Sequence, residues 1–155
     1  MAGALAGATF VWLTYYDHYA ASNDPGDKLA TFCTAPAIRR TATNLFGEAI
    51  GTFVLVLAVL LFQQPSTGAD HAPLGLGSLG ALPVGLLVLA IGLSLGGTTG
   101  YAINPARDLG PRLAHALLPI AGKGETDWDY SWVPIVGPLL GGAAGALLAK
   151  AVIVG

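Results

Sequence analysis

A long uncharged stretch of this chain ends at an Asn-Pro helix start. Residues 71–106 contain no Asp, Glu, Lys or Arg. Near its end stand Asn104, a favoured helix N-cap, and Pro105, a favoured first helical residue, and Arg107 follows at once. Irregular backbone at membrane depth is tolerated only where it is buried in protein or lines a water-filled cavity. The stretch therefore predicts a re-entrant loop, with Arg107 as a candidate for a transport pathway.

The composition is that of an integral membrane protein. Charged residues make up 10% of the chain, against about 25% in soluble domains. Four apolar blocks approach the ~20 residues that cross a bilayer. They lie near residues 2–19, 44–63, 79–98 and 132–153. We expect a single all-α membrane domain over residues 1–155, with about four spans and a re-entrant loop and half-helix near residues 99–118.

Charge and the remaining polar residues point to no other class of protein. The formal net charge is −2, and no basic run suggests nucleic-acid binding. Cys33 is the only cysteine, so an intrachain disulfide is excluded. Asp17 and His18 stand at a span end, where solvation explains them, and His71 is expected in a turn. His115 falls near the end of the short helix, where it would interact with the helix dipole. We predict no cofactor and no metal site.

Glycines stand four residues apart in every apolar block. On a helix this spacing clears one face, so two backbones can approach closely in lipid. We therefore expect each span to pack against a neighbour. The glycines concerned are Gly3 and Gly7, Gly47 and Gly51, Gly92 and Gly96, and Gly137, Gly141 and Gly145.

The third block is expected to end within residues 96–100, because the run Gly-Gly-Thr-Thr-Gly disfavours helix. The chain then stays uncharged up to the second helix start. Extended residues there cannot make helical hydrogen bonds, so their carbonyl groups can face a lumen. These residues are Thr99, Gly100, Tyr101 and Ala102.

The residues around the helix start suit neutral hydroxylated molecules. The side-chain oxygen of Asn104 can cap the N–H of Arg107, which leaves the amide NH2 available as a donor. The helix N-terminus carries about half a positive charge, and with Arg107 it repels cations. Tyr101 can add an apolar wall. Alternatively, Arg107 pairs with Asp108 or a carbonyl group, and Tyr101 is a core aromatic.

Residues 99–112, Thr-Gly-Tyr-Ala-Ile-Asn-Pro-Ala-Arg-Asp-Leu-Gly-Pro-Arg, resemble the second signature of the major intrinsic protein family. Asp108 directly after Asn-Pro-Ala-Arg marks the aquaglyceroporin, or glycerol facilitator, branch. The similarity extends through essentially the whole chain. It implies an aquaporin-like right-handed helical bundle, which in the family has six spans in two inverted halves. This chain resembles spans three to six. The first half, with its own half-helix and a filter tryptophan, has no counterpart in it.

The resemblance also implies a function and a set of pore residues. It implies passive facilitated diffusion of glycerol, similar small neutral solutes and water across the plasma membrane. It further implies a homotetramer once the pore is complete, and no enzymatic activity. Glu48, the one acid deep in a span, would accept hydrogen bonds from the re-entrant loop, and Asp108 would also support that loop. The implied pore residues are Asn104, Pro105, Ala106, Arg107, Tyr101 and the small Gly92, with the polar track at Thr99, Gly100, Tyr101 and Ala102.

Two rival functions stay open at the level of sequence. The first is a truncated, non-conducting chain that needs a first-half polypeptide to cover the re-entrant loop. The second is a membrane serine hydrolase using Ser94, which stands in a Gly-x-Ser-x-Gly pattern, with His115 as its base. A nucleophile elbow belongs to a strand–turn–helix, whereas this pattern lies in an apolar helix.

Loop charges and the family resemblance disagree about orientation. Basic residues in loop 20–43 and segment 100–131 favour the cytoplasm for both, whereas the family places both outside. We expect the family's orientation, because the earlier spans largely set it in a complete channel.

Overall fold

The computed structural model describes residues 1–63, 65–68 and 72–154, and this part of the chain is mainly helical. His71, expected in a turn, lies outside the described residues. A short antiparallel pair joins β1 (Ser66–Thr67) to β2 (Ala72–Pro73). Single 3-10 turns cover Gly77–Ala81 and Trp128–Tyr130. The α-helices are α1 (Ala2–Thr14), α2 (Tyr16–Ala21), α3 (Pro25–Ala30), α4 (Thr41–Leu61), α5 (Leu82–Thr99), α6 (Pro105–Leu117) and α7 (Val133–Val154).

Three helical segments of the described chain are long and apolar enough to cross a membrane. They are Thr41–Leu61, Gly77–Thr99 and Trp128–Val154. The first apolar block differs from the expected single span over residues 2–19. Its helix α1 has 13 residues and ends at Thr14, and α2 begins only after Tyr15, whose ψ of 19° departs from helical geometry. At ~1.5 Å per residue, α1 measures about 20 Å, less than the ~30 Å hydrocarbon core.

The prediction that Thr99, Gly100 and Tyr101 are extended was wrong, because Thr99 is helical and the other two residues have positive φ values. Helix α5 continues through Gly96 and Gly97, includes Thr99 and ends at Gly100, which has a φ of +75°. The N–H of Gly100 donates to the carbonyl oxygen of Gly96, and this closes the last turn. Each helical glycine costs about 1 kcal/mol relative to alanine. Packing against the neighbouring loop and α4 offsets that cost, and Thr99 is buried.

Helices α4 and α7 cross at backbone contact, because α7 presents three glycines spaced by four residues. A methyl carbon at Gly141 would lie 1.9 Å from the carbonyl oxygen of Ala49. At Gly137 it would lie 2.6 Å from Cβ of Glu48, and at Gly145 2.8 Å from the carbonyl oxygen of Phe53. The glycine spacing thus places the Glu48 backbone directly beside α7.

The glycine spacing has a different outcome in α1. Nothing in the described part of the chain lies within 4 Å of a methyl carbon at Gly3 or Gly7. Instead, α1 packs against the half-helix α6 at Ala4. The Cβ of Ala4 would lie 2.6 Å from a methyl carbon at Gly110 of α6. A small core fills the space between α1, α2, α6 and the adjoining loops. Its buried members are Ala8, Tyr19, Phe32, Ala114 and Ile120.

Replacing Gly141 with alanine should separate α4 from α7. We expect Gly141→Ala to destabilise the folded protein by about 1–3 kcal/mol, the usual cost of overpacking a filled contact. Gly142→Ala is the matched control, because its methyl carbon would make only ordinary contact, 3.7 Å from Cγ2 of Val56. Both variants gain the same helix propensity. A difference between their midpoints of thermal unfolding in detergent therefore reports the contact between Gly141 and Ala49. Equal midpoints for the two variants would contradict the close approach of the α4 and α7 backbones at Gly141.

Candidate functional site

The carboxylate of Glu48 holds the loop between α5 and α6. Its Oε1 accepts a hydrogen bond from the N–H of Ala102 at 3.0 Å, and its Oε2 accepts one from the N–H of Ile103 at 2.7 Å. Glu48 is 0% exposed. Tyr101 and Ile103 have φ values of +39° and +42°, a conformation that is costly for residues with a Cβ. Two charge-assisted hydrogen bonds stabilise this strained backbone.

The loop delivers the chain to the start of α6 in extended geometry. Asn104 has a φ of −159°, and its Oδ1 accepts hydrogen bonds from the N–H of Ala106 at 2.9 Å and of Arg107 at 3.4 Å. Pro105 is the first helical residue. The cap satisfies two of the backbone donors that every helix N-terminus leaves open. Both Asn104 and Arg107 are exposed.

Asp108 pairs with Arg112 rather than with Arg107. Oδ1 of Asp108 accepts from Nε of Arg112 at 2.8 Å, and both residues are 0% exposed. Oδ2 of Asp108 accepts from Nη2 of Arg112 at 3.1 Å and from the backbone N–H and hydroxyl of Thr34 at 2.8 and 2.7 Å. The carboxylate thereby joins α6 to the loop after α3.

All five N–H donors of Arg112 are used. Besides the two bonds to Asp108, Nη2 donates to the carbonyl oxygen of Thr34 at 3.0 Å. Nη1 donates to the carbonyl oxygens of Thr126 and Asp127, both at 2.8 Å. A guanidinium offers five donors in a fixed fork, so this site is geometrically saturated. Arg112 therefore clamps the loop after α3 and the loop after α6 to the half-helix.

Lys123 binds the C-terminal end of α6, and Lys28 binds the loop that follows it. Nζ of Lys123 donates to the carbonyl oxygens of His115, Ala116 and Leu118 at 2.7, 2.9 and 2.7 Å. This satisfies carbonyl groups that the helix C-terminus leaves open and places a positive charge at the negative end of the dipole. Lys28 is buried, and its Nζ donates to the carbonyl oxygen of Ala121.

An ion pair joins the same two loops at the surface. Nη1 of Arg39 donates to Oδ1 of Asp127 at 3.0 Å, and the guanidinium lies 5.4 Å from the centroid of the Tyr130 ring. The hydrogen bond to Asp127 raises the pKa of Arg39. Near the same loop, burial raises the pKa of the Cys33 thiol to about 12. Cys33 therefore stays protonated at neutral pH and is a poor nucleophile.

The residues singled out from the sequence fall into two groups. Tyr101, Asn104 and Arg107 are exposed along one short stretch, and Gly92, Gly100, Pro105 and Ala106 are partly exposed. Thr99 and Ala102 are each 1% exposed, so their side chains belong to the packed interior. The structure thus separates an accessible face, with an amide, a guanidinium and an aromatic ring, from its buried support.

The proposed hydrolase residues are engaged in other ways. The hydroxyl of Ser94 donates to the carbonyl oxygen of Ala90 at 2.8 Å, an ordinary intrahelical bond. His115 is 0% exposed, and its Nδ1 pairs with the hydroxyl of Thr126 at 3.0 Å. Asp17 and His18 are exposed. Within the described ranges, no three His, Cys, Asp or Glu side chains are grouped so that they could hold a metal ion.

Comparison with known proteins decides the family. The family model described as Major intrinsic protein matches residues 1–149. The chain belongs to the major intrinsic protein family. It is an integral membrane protein of a channel family, as the sequence signature predicted.

Individual relatives place the chain in the aquaglyceroporin branch. It is 57% identical over 148 residues to glycerol uptake facilitator protein 3 of Lactiplantibacillus plantarum, covering 96% of this chain and 58% of that protein. It is 57% identical over 146 residues to a probable glycerol uptake facilitator protein of Thermotoga maritima, covering 94% and 59%. The chain thus spans between 52% and 59% of the length of these curated relatives and a further one from Bacillus subtilis.

A solved structure confirms the predicted fold class. The X-ray structure of the aquaglyceroporin from Plasmodium falciparum superposes with a TM-score of 0.73 and 28% sequence identity. The superposition covers 97% of this chain and 60% of that one. The chain therefore adopts part of the aquaporin-like helical fold.

Sequence reasoning missed most of the support behind the loop. Arg112 was read only as part of the signature, and Thr34, Thr126 and Lys123 were given no role. Lys123 carried a usable signal, since a basic residue just beyond a helix often binds its last carbonyl groups. Thr34 and Thr126 carried none, because both lie in loops without periodicity and each binds through its backbone as well as its hydroxyl group.

Replacing Glu48 tests the support of the loop. Glu48→Leu should leave the N–H groups of Ala102 and Ile103 unpaired, at about 1–3 kcal/mol each. Glu48→Gln keeps the volume and one acceptor, so we expect intermediate stability. Thr52→Val, one turn away, removes only a hydroxyl bond to the carbonyl oxygen of Glu48 and is the control. In detergent, the midpoint of thermal unfolding should be highest for Thr52→Val, lower for Glu48→Gln and lowest for Glu48→Leu. Identical midpoints for both Glu48 variants would refute the role of the carboxylate.

Proposed function

We propose that this chain supplies one wall of a channel for passive diffusion of glycerol, similar small neutral solutes and water across the plasma membrane. The observation that carries the proposal is the exposed pair of Asn104 and Arg107 at the start of a re-entrant helix whose approach is held by a buried carboxylate. The names of the relatives support the same solute class, since several are glycerol uptake facilitators.

The chemistry of the exposed face matches a polyol. The amide of Asn104 and the guanidinium of Arg107 supply donors for hydroxyl groups. Tyr101, 38% exposed, supplies an aromatic surface for the C–H side of the same molecule. Arg107 and the N-terminus of α6 both carry positive charge, so cations and protons are repelled while neutral solutes pass.

A complete pore needs a second wall. Irregular backbone such as residues 100–104 is tolerated at membrane depth only where protein or water covers it. We propose that polypeptide outside these 155 residues, in the same chain or in another, provides the opposing half-helix. We further propose that complete pores assemble as a homotetramer.

Replacing Arg107 should relax selectivity in a complete pore. Arg107→Ala removes a fixed charge and five donors. We expect larger polyols to enter and cations or protons to leak, whereas glycerol flux persists. Arg40→Ala is the control, because Arg40 is exposed at the start of α4. Proteoliposomes with a pH-sensitive dye and a series of polyols measure both effects. If Arg107→Ala stays as tight to protons and polyols as Arg40→Ala, Arg107 does not line the pathway.

Flux should depend on the second wall. We expect the 155 residues alone to give no glycerol or water permeability above empty vesicles, because one helix terminus and one arginine do not enclose a path. Co-expression with the first half of the 57%-identical Lactiplantibacillus plantarum protein should restore both. Stopped-flow light scattering measures both permeabilities. Facilitated glycerol flux from the 155 residues alone would overturn the need for a second wall. No flux from the two-part channel would overturn the proposed function.

A further inference from the structure

The ring of Tyr101 rests in a trough on α5 formed by Gly92 and Gly96, which are one helical turn apart. A methyl carbon at Gly92 would lie 3.0 Å from Cζ of Tyr101. A methyl carbon at Gly96 would lie 2.8 Å from Cδ1 and 3.2 Å from Cε1 of the same ring. Gly92 therefore faces the hydroxyl end of the ring, and Gly96 faces the end nearest the backbone.

The loop that follows Tyr101 is anchored to α4. The next two N–H groups, of Ala102 and Ile103, are bonded to the buried carboxylate of Glu48. Behind them, Ile103 is packed against α4 so closely that a methyl carbon at Gly51 would lie 3.0 Å from its Cγ2. The loop is thus held between α4 and α5. Because Tyr101 is partly exposed, a ring displaced from α5 can turn toward the exposed face.

We propose that Gly96 is a positioning residue that sets solute size through Tyr101. Because Gly96 lacks a side chain, the ring lies flat against α5, and the pathway beside Arg107 keeps the width that a polyol needs. A methyl group there would push the ring outward by about 1 Å, since carbon atoms settle at about 3.5–4.0 Å. This inference rests on the proposed function and adds Gly96 as a determinant of specificity.

A neighbouring glycine provides a matched control. Gly97 follows Gly96 on the same helix, and nothing in the described ranges lies within 4 Å of a methyl carbon there. Gly96→Ala and Gly97→Ala therefore change helix propensity equally, and only the first contacts the ring. Both variants are compared with the parent in the two-part channel, with glycerol and water permeability measured on the same vesicles.

The informative quantity is the ratio of glycerol to water permeability. We expect Gly96→Ala to lower this ratio by about tenfold, because a Tyr101 ring that is pushed into the proposed pathway obstructs glycerol more than the smaller water molecule. Gly97→Ala should leave the ratio unchanged. A general loss of folded protein would lower both permeabilities in proportion and leave the ratio at the parent value, and that result would overturn the assignment.

A second substitution tests whether the effect passes through the ring. Adding Tyr101→Leu to Gly96→Ala removes the atoms that a methyl group would meet, so the ratio should return to that of Tyr101→Leu alone. If Gly96→Ala alone fails to reach the membrane, the double variant decides. A double variant that is recovered and has the permeability ratio of Tyr101→Leu supports the contact between Gly96 and the Tyr101 ring. Failure to recover the double variant as well would overturn this contact. A parent that conducts both solutes with an unchanged ratio in Gly96→Ala overturns this inference alone. A parent that conducts neither overturns the proposed function as well.

Discussion

The site depends on one buried carboxylate that meets two backbone N–H groups. A loop at membrane depth cannot leave its donors to lipid, and each unpaired group costs several kcal/mol there, by order of magnitude. Glu48 satisfies Ala102 and Ile103 at the point where the backbone turns left-handed. Its own position follows from α7, because Gly137 lets the two helices meet at its Cβ. Glycines in α7 therefore place the acid that shapes the loop between α5 and α6.

The half-helix α6 is held along its whole length by different means. At its start, Asn104 and the Glu48-bound loop fix the direction of entry. In its middle, Arg112 ties two outer loops to one buried aspartate. At its end, Lys123 binds three carbonyl groups. Removing one partner of such a buried pair is far more costly than the net contribution of the pair, so the support is sensitive to single changes.

Local signals made the centre of the site predictable, and long-range contacts made its support unpredictable. Asn104 and Pro105 specify a helix start by their own geometry, and a lone acid in an apolar span needs donors wherever they lie. The hydrogen bonds between Asp108 and Thr34 join residues that are 74 positions apart. Thr34 lies in a loop without periodicity, so no sequence pattern predicts these bonds. Thr99 was misjudged because packing in α5 outweighed the low helix propensity of its glycines.

The order of synthesis gives the Glu48 contact a further consequence. Its two N–H donors stand 54 and 55 residues later in the chain. At about 5–20 residues per second, they are made roughly 3–10 s after the acid itself. A span carrying a carboxylate is thus complete before the loop that binds this group has been made. Assembly of this protein therefore includes an interval in which the side chain of Glu48 needs other hydrogen-bond partners, and the arrival of the loop ends that interval.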